Sequence, residues 1–372
     1  MFTQNFVTAV AATTSIFIGG SNALVAQEAS SATSASTLSV SYTTYSALAS
    51  DYPGVARDGG GGGNIGGHTL MVFSDTQTKR TGLWRMTSNS YAYATNPDEP
   101  TEEQDFGSDE VPAQAIPWDE GECATEIVEE HPEWCSASNT SAHDGYWIWP
   151  NNALATQFND PTATEAYAIY NTGLRTPLSW QYNTLVHWTV TDTGVNATRP
   201  VQKYITSDFK YQWGWSIASH SDGNIRLFAI DSGNLYVAKV AWDNITDTSQ
   251  FAYWNGTQYT KSDESSAAVI ATGDFVDGDV WWSPLCNTWI LIYMGSAHVG
   301  SPWYVRYSTS RKVRGPYSEA QHIFTPPWGT SYSYSGHSYP QFISTEAQEV
   351  LLTWTYQDHG LYTHMAKLSF SL

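Results

Sequence analysis

Asn224-Ile-Arg-Leu-Phe-Ala-Ile230, then Asp231-Ser-Gly-Asn234, then Leu235-Tyr-Val-Ala-Lys-Val240 reads as two short strands bounded by turn residues. Both runs are rich in β-branched and large apolar side chains, and Asp, Ser, Gly and Asn punctuate them. The same texture recurs outward in both directions. Upstream lie His68-Thr-Leu-Met-Val-Phe-Ser74, Glu165-Ala-Tyr-Ala-Ile-Tyr170 and Asn183-Thr-Leu-Val-His-Trp-Thr-Val190. Downstream lie Thr288-Trp-Ile-Leu-Ile-Tyr293 and Val350-Leu-Leu-Thr-Trp-Thr-Tyr356. Helical spacing is almost absent, so the chain is all-β.

A longer period sits on top of the strands. Segments able to open a sheet module begin near His68, Tyr146, Trp213, Trp281 and His337, at intervals of 56 to 78 residues. Five units of similar size, each with three or four strands, suit radial repetition about an axis. A β-sandwich would give evenly spaced strands without this period. The expectation is a five-bladed β-propeller forming a single domain over residues 51–372.

Two stretches depart from the pattern. Residues 27–50 are rich in Ser, Thr and Ala and read as a loose lead-in. Residues 94–143 carry Pro97, Pro100, Pro112, Pro117 and Pro132 and an acidic cluster from Asp98 to Glu103. They read as a long surface insertion, of the kind that is functional or mobile.

The chain has 372 residues, with 16 Lys and Arg against 36 Asp and Glu, a formal charge of −20. Nucleic acid and anionic membrane are excluded as partners, because both need clustered cations. Only 14% of residues are charged while 41% are hydrophobic, with 17 Trp; this is far too apolar for a disordered chain. A monomer without cofactor or metal is expected.

The N-terminus points out of the cytoplasm. Phe6 to Ile18 is an apolar run of signal-peptide length, followed by Ser21-Asn22-Ala23 and Leu24-Val25-Ala26 as cleavage options within residues 1–26. Asn139, Asn196, Asn244 and Asn255 each open a glycosylation sequon. Cys123 and Cys135 fall within the insertion and are candidates for a short-loop disulfide. Cys286 reads as a buried free thiol. Secretion is the expectation.

In a propeller, inner strands converge on one mouth, so polar residues at module starts are the functional candidates. In the first module, Arg57-Asp58-Gly-Gly-Gly-Gly-Gly-Asn64-Ile-Gly-Gly-His68 leads into a strand ending Phe73-Ser74-Asp75-Thr76. The glycines permit positive φ and close approach of a ligand to the backbone. No Lys-Ser/Thr follows, which excludes a phosphate loop. Asp58 and Asp75 bracket one strand and form a candidate carboxylate pair; the plainer readings are a turn cap for Asp75 and a salt bridge to Arg57 for Asp58.

The second module opens His143-Asp144-Gly-Tyr146-Trp147-Ile-Trp149-Pro150-Asn151-Asn152, aromatics flanked by amides and a carboxylate. Sugar rings stack on aromatics while amides and carboxylates bind hydroxyls, which nominates Asp144, Trp149 and Asn151. At least one of Trp147 and Trp149 must pack between blades. Tyr211-Gln-Trp213-Gly-Trp215 repeats the style and adds Trp213. Asp274, Asp277 and Asp279 lack the spacing of a calcium hand and read as a solvated turn. His337, in Ser335-Gly-His-Ser-Tyr-Pro340, reads equally as a donor to substrate or as a structural group.

A carboxylate pair, an aromatic-amide surround and a secreted acidic chain suggest glycoside hydrolysis. That reaction needs one carboxyl protonated and one ionised. Nearby acids in a partly dry mouth push each other's pKa values apart.

Arg57-Asp58-Gly-Gly, Leu70-Met-Val-Phe-Ser-Asp75-Thr76, Trp149-Pro150-Asn151 and Gly336-His337-Ser-Tyr-Pro340 resemble a largely uncharacterised five-bladed propeller family that includes bacterial endo-D-arabinanases. More distantly, Arg306-Tyr-Ser-Thr-Ser310 and Val313-Arg-Gly-Pro-Tyr317 look like a strand-and-turn motif of arabinanase and xylosidase propellers. The resemblance implies that Asp58 and Asp75 are the catalytic pair, with Trp149, Asn151 and His337 near the sugar. The chain departs from the family in having Ser74 where Gly is usual, and it lacks a match to the glutamate that xylosidase-type propellers use as acid. The implied substrate is a furanose-containing, arabinan-like polysaccharide, with a non-catalytic carbohydrate-binding propeller as the alternative.

Overall fold

The computed structural model describes residues 38–45, 48–80, 83–95, 102–119, 122, 146–160, 162–175, 177–261, 263–295, 301–326, 333–339, 349–357 and 361–371. Five antiparallel blades follow one another along the chain. Blade I holds Gly62–Ile65, His68–Phe73, Ser90–Ala94 and Glu102–Asp105, with Ala49–Ser50 added in parallel. Blade II holds Tyr146–Trp149, Glu165–Arg175, Leu178–Thr191 and Gly194–Ile205, and blade III runs from Ser216–Ser219 through Asn224–Asp231 and Asn234–Ala241 to Ala252–Trp254. Blade IV holds Gly278–Ser283, Thr288–Met294, Trp303–Tyr307 and Gln321–Phe324. Blade V holds Ser333–Tyr339, Glu349–Gln357 and Leu361–Ser371. The helices among the described residues are short 3-10 turns.

The core explains why these strands read as apolar runs rather than alternations. Along Thr288–Met294, Ile290, Ile292 and Met294 face blade V, while Trp289, Leu291 and Tyr293 face blade III. All seven residues of that strand are buried. Asn224–Asp231 behaves alike: Ile225, Leu227 and Ala229 pack towards blade II, Phe228 towards blade IV. A sandwich strand shows water one face, whereas a blade is covered on both by its neighbours. Each large side chain so covered stabilises by roughly 1.5–3 kcal/mol. The core accordingly divides into five clusters, one between each adjacent pair of blades.

Two sequence expectations are corrected. Ser39–Thr44 lies in the stretch read as a loose lead-in, but it is the outermost strand of blade V, antiparallel to Leu361–Ser371. It joins the two ends of the chain, buries Leu38 and Val40, and covers what would be an unpaired edge. A partner so distant in sequence leaves no local periodicity. Likewise part of the 94–143 insertion is a blade strand: Glu102–Asp105 pairs with Ser90–Ala94. Its alternate acids Glu103 and Asp105 point inward onto buried Arg57, so the inward face is acidic rather than apolar. The first module also opens at Gly62, ahead of His68, because Gly62–Ile65 is its innermost strand.

The glycine run has a structural purpose different from the one expected. Gly59 to Gly63 are buried, and positive φ is confined to Gly66 and Gly67 (59° and 78°), the two-residue turn between paired Ile65 and His68. A Cβ on Gly60 would lie 2.1 Å from Val72 O, and one on Gly61 would lie 1.6 Å from Asn152 O. Gly60 and Gly61 therefore admit neighbouring backbone at close approach.

Candidate active site

Val55–Arg57 pairs with Thr76–Arg80, and Gly62–Ile65 pairs with His68–Phe73, in one continuous register. Across the gap the ladder continues: Asp58 N donates to Asp75 O (2.8 Å) and Val72 N to Gly61 O (2.9 Å). Asp58 and Asp75 are thus directly opposed on adjacent strands. A hydrogen-bonded opposed pair has Cα atoms about 5.5 Å apart with side chains on one face. The two aspartates are joined through the backbone here, where the outer strands Val55–Arg57 and Thr76–Arg80 leave the blade for a separate sheet.

Neighbouring blades reach the same point. Trp149 Nε1 of blade II donates to Asp75 Oδ1 (3.0 Å) and Tyr334 Oη of blade V to Asp58 Oδ1 (2.6 Å). Asp58 and Asp75 keep 7% and 8% of their surface, so they sit nearly dry yet still reach solvent. Trp149 is half-buried and stacks on buried Trp147, their centroids 3.9 Å apart. Gly173 makes room for that stack, since a Cβ there would lie 2.2 Å from the Trp147 ring. Arg57 does not pair with Asp58; it turns beneath the sheet to Glu103 and Asp105, with its guanidinium 4.4 Å over the Phe73 ring. Burial is the largest influence on both partners, lowering the Arg57 pKa and raising that of Glu103 to about 7 despite the facing cation.

Blades IV and V add a second acidic cluster. Asp279 is buried and accepts from Ser338 N (2.7 Å) and Ser338 Oγ (3.1 Å), with His337 Nδ1 3.5 Å away. Burial alone would lower the His337 pKa, but Asp279 and then Asp277 outweigh it and the net shift is upward. Asp277 accepts from Ser335 N (2.8 Å). Desolvation raises its pKa against the opposing pull of His337 and the Ser335 and Gly336 amides. The turn expected to be solvated is therefore an inter-blade anchor, with Asp279 buried and Asp277 half-buried, and only Asp274 is exposed. Among the described residues no group of three or more His, Cys, Asp or Glu is placed to hold a metal ion.

The other candidates divide. Asn151 is half-buried, its Oδ1 accepting from Asn171 N at 3.3 Å. Trp213 is corrected: it is fully buried in the core between blades II and III, with Nε1 on Glu264 (2.7 Å), and offers no face to a sugar. His337 is likewise buried, inside the hub. Asp144, Cys123, Cys135 and Asn139 lie outside the described residues. Asn196 and Asn244 are exposed, and Asn255 is half-buried in a turn that its own Oδ1 caps. Cys286 is a buried free thiol. Tyr334 escaped the sequence reading, its only signal being its place just before the Ser335-Gly-His337 segment.

The sequence matches no family profile and no curated protein. Solved structures do share the architecture. A candidate hydrolase from Bacteroides ovatus superposes with a TM-score of 0.56 at 13% identity, covering 89% of this chain and 90% of its own. A family 117 glycoside hydrolase from the marine bacterium Zobellia galactanivorans gives 0.50 at 10% identity, with 88% and 90% covered. A thermostable family 43 glycoside hydrolase aligns more weakly, at 0.41 and 8% identity, with 82% and 91% covered. At these identities the first two likenesses establish the fold alone.

Proposed function

We propose that this chain is a secreted glycoside hydrolase that cleaves a furanose-containing, arabinan-like polysaccharide with Asp58 and Asp75. The observation that carries this reading is the direct opposition of the two aspartates across one ladder, at a point where blades I, II and V meet. Opposed residues of adjacent strands carry their side chains on one face, which supports reading the two carboxyls as a pair of the kind that glycoside hydrolysis uses. One carboxyl gives its proton to the leaving oxygen as the glycosidic C–O bond breaks. The other, ionised, serves the anomeric carbon, directly or by taking a proton from the attacking water. The net change is one water consumed and two hydroxyl ends formed. Half-buried Trp149 supplies an aromatic surface beside the pair, and Asn151 an amide close to it in sequence.

Support for export is separate: the apolar run over residues 6–18, and sequons whose Asn196 and Asn244 are exposed on the blades. Asp58→Asn and Asp75→Asn test the catalytic reading by reducing-end release from arabinan-type polysaccharides. Each is expected to lose at least about 10³-fold in kcat while keeping glycan affinity. A wild type that binds glycans yet releases no sugar from a broad panel would make this a carbohydrate-binding propeller instead.

A further inference from the structure

Tyr334 joins the site through an unusual piece of backbone. Ser335, the next residue, has φ 53°, a left-handed conformation that a non-glycine residue adopts only when its surroundings hold it there. Two contacts hold it there. Its N–H donates to Asp277 Oδ2 of the segment leading into blade IV (2.8 Å), and its Oγ donates to Gly59 O of blade I (3.1 Å). The pairing with Glu349–Gln357 slips between Tyr334 and His337, which re-aims the side chains of this inner strand. The result is a phenol O–H aimed at Asp58 Oδ1, while Ser335 grips the residue after Asp58. At 2.6 Å the contact has the length of a charge-assisted O–H···O⁻ bond, and a phenol holds its proton far more tightly than a carboxyl does.

From this we infer that Tyr334, set by the Asp277–Ser335 latch, holds Asp58 in its ionised form, so that Asp58 is the base or nucleophile of the pair. The inference rests on the paired-carboxylate reading above. Among the described residues, Asp75 stands opposite Asp58, Asp277 reaches its neighbourhood through Ser335, and Arg57 is occupied by Glu103 and Asp105.

Carboxyl titration by carbon NMR, with Asp58→Asn to assign the resonance, reads the coupling without substrate. Tyr334→Phe keeps the ring and removes the donor, so the Asp58 midpoint should rise by about one pH unit, the acid limb of kcat/KM rising with it. Ser335→Gly should give a smaller rise, because glycine holds the same φ without needing the latch. Difluorotyrosine at position 334, a stronger donor, should move the midpoint the opposite way, and it decides the matter if the phenylalanine variant fails to fold. Aryl glycosides with acidic leaving groups separate the roles: they should rescue Asp75→Asn at least tenfold and leave Asp58→Asn inactive. An Asp58 midpoint unmoved in all three Tyr334 and Ser335 variants, or rescue of Asp58→Asn in place of Asp75→Asn, overturns the inference. Absence of turnover in the wild type overturns the hydrolase reading, while the titration still decides whether Tyr334 sets the ionisation of Asp58.

Discussion

Gly61→Ala against Gly67→Ala tests whether the glycine run packs blades or admits ligand. A Cβ on Gly61 would meet the carbonyl oxygen of Asn152 at 1.6 Å and its carbon at 2.3 Å, both backbone atoms of blade II that no rotamer can clear. Ordinary contact begins near 3.4 Å, so the two backbones must part. That separation strains the bonds from Val72 N to Gly61 O and from Leu154 N to Gly62 O, each 2.9 Å. It also disturbs Asn152, whose Nδ2 ties blade II to Gly214 O of the third module at 2.7 Å. Three such bonds at about 1 kcal/mol each, with overpacking of about 1–3 kcal/mol, give a loss of about 4–6 kcal/mol. That is a large fraction of a typical domain's stability. At Gly67 a Cβ meets nothing within 4 Å, and only the positive φ of 78° is penalised, by about 1–2 kcal/mol. Urea unfolding followed by the fluorescence of the 17 tryptophans should therefore separate the two variants by about 3 kcal/mol. Equal midpoints, with glycan binding alone lost in Gly61→Ala, would refute the packing argument and return the run to ligand contact.

Three further outcomes are expected. Asp279→Ala leaves the Ser338 amide and hydroxyl and the His337 ring unpaired in the hub, and should cost about 3–5 kcal/mol in chemical denaturation, with Asp279→Asn losing clearly less; a cost below about 1 kcal/mol for the alanine variant would refute the anchoring role. Thermal stability should fall as pH rises from about 6.5 to 8, above the range in which His364, lowered by burial to about 4 in the fold, pulls the other way. The Glu103 pKa is held at about 7 in the fold against an ordinary 4.5, so the folded chain keeps extra protons between those values, and the favourable charge on His337, fully present below 6.5, is lost as pH climbs through its raised pKa. Glu103→Gln should flatten part of that slope in calorimetry, and a slope of opposite sign contradicts both shifts. Trp213→Phe removes the indole donor to Glu264 and should lower stability by about 1–2 kcal/mol with glycan affinity unchanged in calorimetric titration, whereas a weakened affinity would place it at the sugar after all.

The blades were legible because their central strands are apolar on both faces, and that composition is local: Thr288 to Met294 reads as a buried strand wherever it is placed. The acidic strand Glu102–Asp105 was not legible, since its inward residues are carboxylates that only Arg57, far back in the chain, makes tolerable in the interior. Trp213 shows the converse limit. An aromatic beside glycine looks the same in sequence whether it faces sugar or core, and its burial follows from how blades II and III close over it.

The sequence by itself determined the all-β class, the fivefold period and the presence of aspartates on either side of one hairpin, because strand propensity and spacing are properties of neighbouring residues. The tertiary structure decided which groups share a mouth. Asp58 and Asp75 are paired through the backbone across a gap in the hairpin, and Tyr334 and Asp277 arrive from blades V and IV only when the ring closes on the strand Ser39–Thr44. Closure brings together residues hundreds of positions apart, and no local pattern encodes a distance of that kind.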